Sequence, residues 1–298
     1  MVPMTGADDE LVAWLLEGDP SIRWRVHRDI LGSPASIVQA ERAKVATEGW
    51  GAKLISLQDP DGRWGGGDYS PKWISTTYTL LRLVQLGLPA GHPAALRGCE
   101  RLWDWRARWR TPETCISGLL IRLTAALGHP APGLDGMVAD LLGQQQDDGG
   151  WNCATRTDRA KHGSFHTTVL ALEALDAYAG TLDVAGAAQR GREFFLRHRL
   201  YRSHRTGAEA IPRSTKLRAF GEWHFDVLRG LELFAGRPDR DGRLGDAIEA
   251  IRRQQRSDGR WPVHAPYPGK RFFEPEPRGP SRWITVRATA VLDWWSAA

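Results

Sequence analysis

The chain has 298 residues, a net charge of +5, 42% hydrophobic and 25% charged residues, the profile of a soluble globular protein long enough to bury a sizeable core. Three cysteines exclude a disulfide scaffold, and no apolar run reaches the length of a transmembrane helix. The acidic start lacks the apolar stretch of a secretory signal, so a cytoplasmic protein is expected.

Glu10 to Leu16 and Ser21 to Leu31 are predicted as a first helical pair. Five mostly apolar stretches then alternate with five that carry one polar face. The apolar ones are Trp73 to Leu86, Glu113 to Leu127, Ser164 to Ala179, Gly221 to Ala235 and Ser281 to Trp295. Helices apolar around the whole wheel are buried. The amphipathic ones are Ile37 to Leu57, Pro93 to Trp103, Leu134 to Gln145, Val184 to Arg197 and Leu244 to Arg253. Inner helices wrapped by outer ones make an all-α fold, a single α/α toroid of about five to six helical pairs. The expected layout is one domain over 1–298, with repeats over 36–298 and the helices of 1–35 completing the ring. No stretch reads as a strand.

Three outer stretches run into one motif, Gln-x-x-Asp-Gly-x-Trp, at Gln58 to Trp64, Gln145 to Trp151 and Gln255 to Trp261. Asp-Gly is a turn signal, and a Trp two residues on can fold back over the preceding helix. The Trp-to-Trp spacings of 87 and 110 residues each fit two units, with degenerate copies near Trp103 to Trp109 and near Arg199 to Thr206. This motif resembles the repeat shared by squalene and oxidosqualene cyclases and by the β-subunits of protein prenyltransferases. The resemblance covers roughly residues 36 to 298. It implies that Asp61, Asp148 and Asp258 are structural, and that a central apolar cavity serves an isoprenoid.

The cyclases' Asp-x-Asp-Asp acid motif does not occur in this sequence. The prenyltransferase β-subunits use a zinc ion held by Asp-x-Cys at one inner-helix start and His at the next. Glu113-Thr114-Cys115 and His166 stand at matching places, with Glu113 replacing the usual Asp. Cys153, thirteen residues before His166, is an alternative ligand. Carboxylate, thiolate and imidazole with an open fourth position form a reasonable catalytic zinc set. The bland reading makes Cys115 a small buried hydrophobe and His166 a helix-start residue.

Parallel inner helices gather their N-termini, and with them Lys72, His166, Trp223, His224, Arg282 and Arg287, at one end. Unpaired N–H groups there favour an anion. Arg106 and Arg110 lie shortly before Cys115, where the resemblance implies diphosphate-holding cations, and a solvated outer surface is the plainer reading. The expected partner is a hydrophobic small molecule with an anionic head group, and dispersed arginines argue against nucleic acid. Asp226 is the candidate proton donor, with His224 beside it and Cys115 as the metal-activated centre. The alternative for Asp226 is a first-turn acid favouring the helix dipole. The Pro-rich stretch 262–280 is long enough to cover the mouth, with Phe272 and Phe273 as apolar contacts. The leading expectation is a prenyltransferase or terpene cyclase-like enzyme. The alternatives are a non-catalytic lipid or isoprenoid carrier and a carbohydrate-active lyase or hydrolase, the latter wanting two cavity carboxylates.

Overall fold

A computed structural model of the protein describes residues 6–108, 113–155, 160–276 and 278–297. The chain is an all-α toroid. Its helices are α1 (Gly6–Leu16), α2 (Pro20–Arg25), α3 (Ala35–Ala43), α4 (Gly49–Ser56), α5 (Thr76–Leu86), α6 (Pro93–Ala107) and α7 (Thr114–Leu127). They continue with α8 (Leu134–Gly143), α9 (Phe165–Ala177), α10 (Ala185–Arg197), α11 (Val227–Glu232), α12 (Gly245–Arg252) and α13 (Arg282–Ser296). A two-residue antiparallel pair, β1 (Trp261–Pro262) with β2 (Pro280–Ser281), closes the base of the Pro-rich loop.

The inner ring runs α5, α7, α9, α11, α13 and α2, with α5 on α7, α7 on α9, α11 on α13, and α13 on α2. Trp24 of α2 closes it by donating its indole N–H to the Leu86 carbonyl at the end of α5, 2.8 Å. Helices α1, α4, α6, α8, α10 and α12 pack outside.

The three motif copies build one turn. In each, the indole Nε1 of the Trp donates to a carbonyl ten residues back, Trp64 to Leu54 (2.7 Å), Trp151 to Leu141 (2.8 Å) and Trp261 to Ile251 (2.9 Å). Each Trp backbone N–H donates to a threonine hydroxyl of the next inner helix, Thr76, Thr168 or Thr285. All three indoles are buried. Gln58, Gln145 and Gln255 each donate an amide N–H to the carbonyl of the turn glycine. Asp61, Asp148 and Asp258 each accept a backbone N–H two residues on. The turn glycine stands at positive φ, +88° at Gly149, which a side chain would strain. These aspartates are structural, as expected.

Two elements differ from their sequence reading. The stretch Ile37 to Leu57 is broken between α3 and α4, because Gly49 takes φ +61° and Asp19 accepts the Trp50 N–H, 2.7 Å. The inner stretch Gly221 to Ala235 is helical only over Val227–Glu232. Asp226 is extended (φ −135°, ψ 165°), and its side chain caps α11 by accepting the Arg229 N–H. Residues 221–226 are therefore a turn that carries Trp223 and His224.

Candidate functional site

The N-termini of α5, α7 and α9 and the 221–226 turn meet at one end of the ring. Three potential metal ligands converge there. Ligand atoms of Glu113, Cys115 and Cys153 all lie within 4.8 Å of one another. Local structure explains the convergence. Thr114 is buried at the start of α7 and donates to Gln144 Oε1, 2.6 Å, with the Asn152 carbonyl at 3.1 Å. That anchors the helix start to the chain leaving the Trp151 turn, and Cys153 follows Asn152 directly. Cys153 Sγ accepts the Cys115 backbone N–H at 3.3 Å and lies 3.2 Å from the Thr167 hydroxyl. Cys115 Sγ lies 3.6 Å from Glu113 Oε2. The neighbouring Cys115 side chain, as hydrogen-bond donor, lowers the Cys153 thiol to about 7, against the effect of burial. That same contact, with burial and Glu113, raises Cys115.

His166 does not join this group. Its Nδ1 accepts the Phe225 backbone N–H, 2.9 Å, and its ring stands edge-on to Trp223 and His224. His224 lies between Trp223 (3.7 Å between centroids) and Tyr267 (3.4 Å) in a parallel stack. Its Nδ1–H donates to the Gly221 carbonyl, 3.1 Å, which leaves Nε2 as the free lone pair. Tyr267 comes from the Pro-rich loop. That loop is tied down by Trp73 Nε1–H to the Pro268 carbonyl and by Lys270 N–H to the Lys72 carbonyl. Phe272 and Phe273 line a small aromatic pocket of about 30 Å³ with Trp50, Trp73 and Phe220. The Lys72 ammonium lies 5.3–5.6 Å from the ring centroids of Tyr69, Trp73 and Trp223.

Burial lowers His166 to about 4, and burial together with His166 lowers His224 to about 3. Both rings start from 6.5 when unfolded. A base whose folded value is depressed stabilises the fold above its unfolded value, and that stability is lost as pH falls. The melting temperature is therefore expected to drop steadily from pH 6.5 towards about 4. His224→Phe, which keeps the stack, should flatten this slope. An unchanged pH profile in that variant would show that His224 does not carry it.

The ring axis is not the apolar cavity expected from the resemblance. A cavity of about 900 Å³ opens at the C-terminal end of the inner helices, lined by Arg25, Arg28, Arg122, Glu173, Arg229, Glu232 and Arg287 among others. The reason is that inner helices α7, α9, α11 and α13 each turn charged side chains inward. Glu173 accepts from Arg122 (2.5 Å) and from Arg229 (2.6 and 2.7 Å). Arg287 forks onto Glu232 at 2.6 and 2.7 Å. Arg82 of α5 pairs with Glu222. Arg229 Nη1 also donates to the Glu222 and His224 carbonyls, both 2.8 Å, which ties the histidine turn to the axis.

Asp226 lies at the inner end of this charged space, where burial raises its carboxyl despite Arg287 and Arg229. Arg282 points away from the axis, donating to the Trp14 carbonyl (2.8 Å) and Glu17 (3.1 Å). Arg106 is in the last turn of α6, and Arg110 lies outside the described residues. The single-residue charges inside apolar helices, Arg82, Arg122, Glu173 and Arg229, were the readable signal for the axial network.

No protein-family profile matches the chain, and no curated protein is detectably similar to it in sequence. Among solved structures, the chain is similar to the apo form of the type II terpene cyclase MstE from Scytonema. The identity is 18%, the TM-score 0.43, and the match covers 98% of this chain and 97% of that one.

Proposed function

We propose that the protein is an enzyme acting on an isoprenoid at the N-terminal end of its inner helices. The observation that carries this reading is the Glu113, Cys115 and Cys153 cluster, within electrostatic reach of Tyr69 and Tyr78, the latter's ring in turn touching Trp73. One carboxylate and two sulfurs suit zinc, a borderline-soft ion. Around such an ion the ligand atoms stand about 3.3–3.8 Å apart, so closing the trio needs shifts of about 1 Å. Bound there, zinc would lower the pKa of a thiol or water and make it a nucleophile near neutral pH. The chain's own residues supply the rest. The Cys115 N–H and the Thr167 hydroxyl hold the Cys153 sulfur in place. The ring faces around Lys72 already accommodate a cation, which is what a carbocation-like isoprenoid transition state requires. Phe272 and Phe273, which line the neighbouring aromatic pocket, would give way to the hydrocarbon tail.

For a glycoside-cleaving reading the axis offers no pair of uncommitted carboxylates among the described residues, because Glu173 and Glu232 are held by arginines and Asp226 caps α11. The test is metal content by mass spectrometry together with turnover of prenyl diphosphates. About one zinc per chain is expected in the wild type, lost in Cys115→Ala and Cys153→Ala and kept in His166→Ala. Turnover should disappear with the metal. A wild type that binds no metal after purification without chelator overturns the zinc centre. Binding of prenyl diphosphates without consumption makes the protein a carrier instead.

A further inference from the structure

The charged cavity lies at the opposite end of the ring from the thiols, and the isoprenoid reading makes no use of it. Its wall includes Val84, Ala126, Asp176, Gly236 and Asp293, at or just beyond the C-terminal parts of the inner helices. It narrows inward to a chamber of about 90 Å³. Arg25, Arg122, Arg229 and Arg287 line that chamber against Glu173, Asp226 and Glu232. Four guanidiniums face three carboxyls, so the chamber carries surplus positive charge even with every carboxyl ionised.

The surplus is located at Arg25. Arg122 and Arg229 share Glu173, Arg287 has Glu232, and Arg28 nearer the mouth has Asp29. Arg25 makes no ion pair among the described residues. Its hydrogen bond is from Nη2 to the Gln85 carbonyl, 2.9 Å, and its Nε is buried with no acceptor. Part of the arginine content at this end serves the carbonyl ends of helices, as Arg42 does at Gly87. Arg25 does this with one nitrogen and leaves the rest of its fork unused. Two residues that line the chamber each carry a buried polar atom without a partner, the Trp283 indole Nε1 and the Gln85 Oε1. Arg25 and Arg287 also lie over the same Trp283 ring, 4.9 and 5.9 Å from its centroid. A buried donor without a partner is costly, and an oxyanion would satisfy Arg25 and Trp283 together.

We propose that this cavity is a second ligand site, which takes the phosphate or carboxylate head of a small polar metabolite on Arg25 and Trp283 and holds its body in the outer chamber. A volume of about 900 Å³ suits such a molecule. A hydroxyl on the head would also satisfy Gln85. The site is independent of the thiol end, and an isoprenoid has no place in it.

The test is calorimetric titration and thermal melting of the full chain at low salt, with inorganic phosphate and with succinate as separate probes. Saturable binding is expected for at least one probe at concentrations up to about 10 mM, with a melting temperature that rises with ligand. The probe that binds tighter identifies the head as phosphate or carboxylate. Arg25→Gln should weaken binding by about tenfold or more. Trp283→Phe, which keeps the ring and removes the donor, should weaken it by a smaller factor. Cys153→Ala, at the other end, should bind as the wild type does. Absence of binding by either probe to the wild type overturns the proposal, and so does unchanged affinity in a folded Arg25→Gln. Should Arg25→Gln fail to fold, unchanged affinity in Trp283→Phe overturns it.

Discussion

Glu173→Ala is expected to destabilise the protein by about 3 kcal/mol, a large share of the roughly 5–15 kcal/mol that holds a typical domain together. The carboxylate is the shared acceptor of Arg122 and Arg229, at 2.5–2.7 Å, so its loss strands two guanidiniums on the ring axis. Water in the adjoining cavity reaches 13% of the Glu173 side chain, which keeps the cost near the lower end for a buried pair. Burial alone would raise the Glu173 carboxyl, but Arg122 and Arg229 hold it below its ordinary value. Its contribution is therefore present above the unfolded value of 4.5 and is lost as pH falls below it. Urea unfolding at pH 7 and at pH 4 checks both parts. Equal stability of wild type and variant at pH 7 would show that the axial network is not structural. The same substitution should also loosen the histidine turn, since Arg229 holds the Glu222 and His224 carbonyls.

Trp151→Ala is expected to cost about 4 kcal/mol, the usual range for emptying a fully buried tryptophan site. The indole is completely buried and closes the end of α8 through Leu141. Trp151→Phe fills most of the space and loses that hydrogen bond, for about 1 kcal/mol. Chemical denaturation of the two variants separates packing from hydrogen bonding. Comparable losses in both would mean that the hydrogen bond, not the ring volume, dominates. Because Cys153 leaves this turn two residues later, the alanine variant should also hold metal more weakly than the phenylalanine one.

The toroid was legible in the sequence because its determinants are local. A Gln-x-x-Asp-Gly-x-Trp copy needs only its own turn and the helix before it, so Trp64, Trp151 and Trp261 announce themselves by spacing. Alternation of apolar and amphipathic stretches then sorts inner helices from outer ones. The same local logic ran out at the 221–226 turn, where an apolar pattern concealed an N-cap at Asp226. The partner that completes the tryptophan turn, a threonine twelve to twenty-four residues downstream, is a tertiary choice.

What the sequence showed by itself was the repeat, the ring and the placing of Glu113, Cys115 and His166 at inner-helix starts, with Cys153 as an alternative ligand. Tertiary structure decided which of these meet. Cys153 reaches Cys115 because Thr114 binds the Asn152 carbonyl, while His166 is taken by the Phe225 N–H of the adjacent inner turn. It also decided the character of the axis. One charge in an apolar helix says nothing about its direction until neighbours supply the opposite charge. Here Arg122, Glu173, Arg229, Glu232 and Arg287 find each other only when the ring closes. A carboxylate and a guanidinium can share a low-dielectric interior only as a pair, and pairing is a property of the closed ring, not of any one helix.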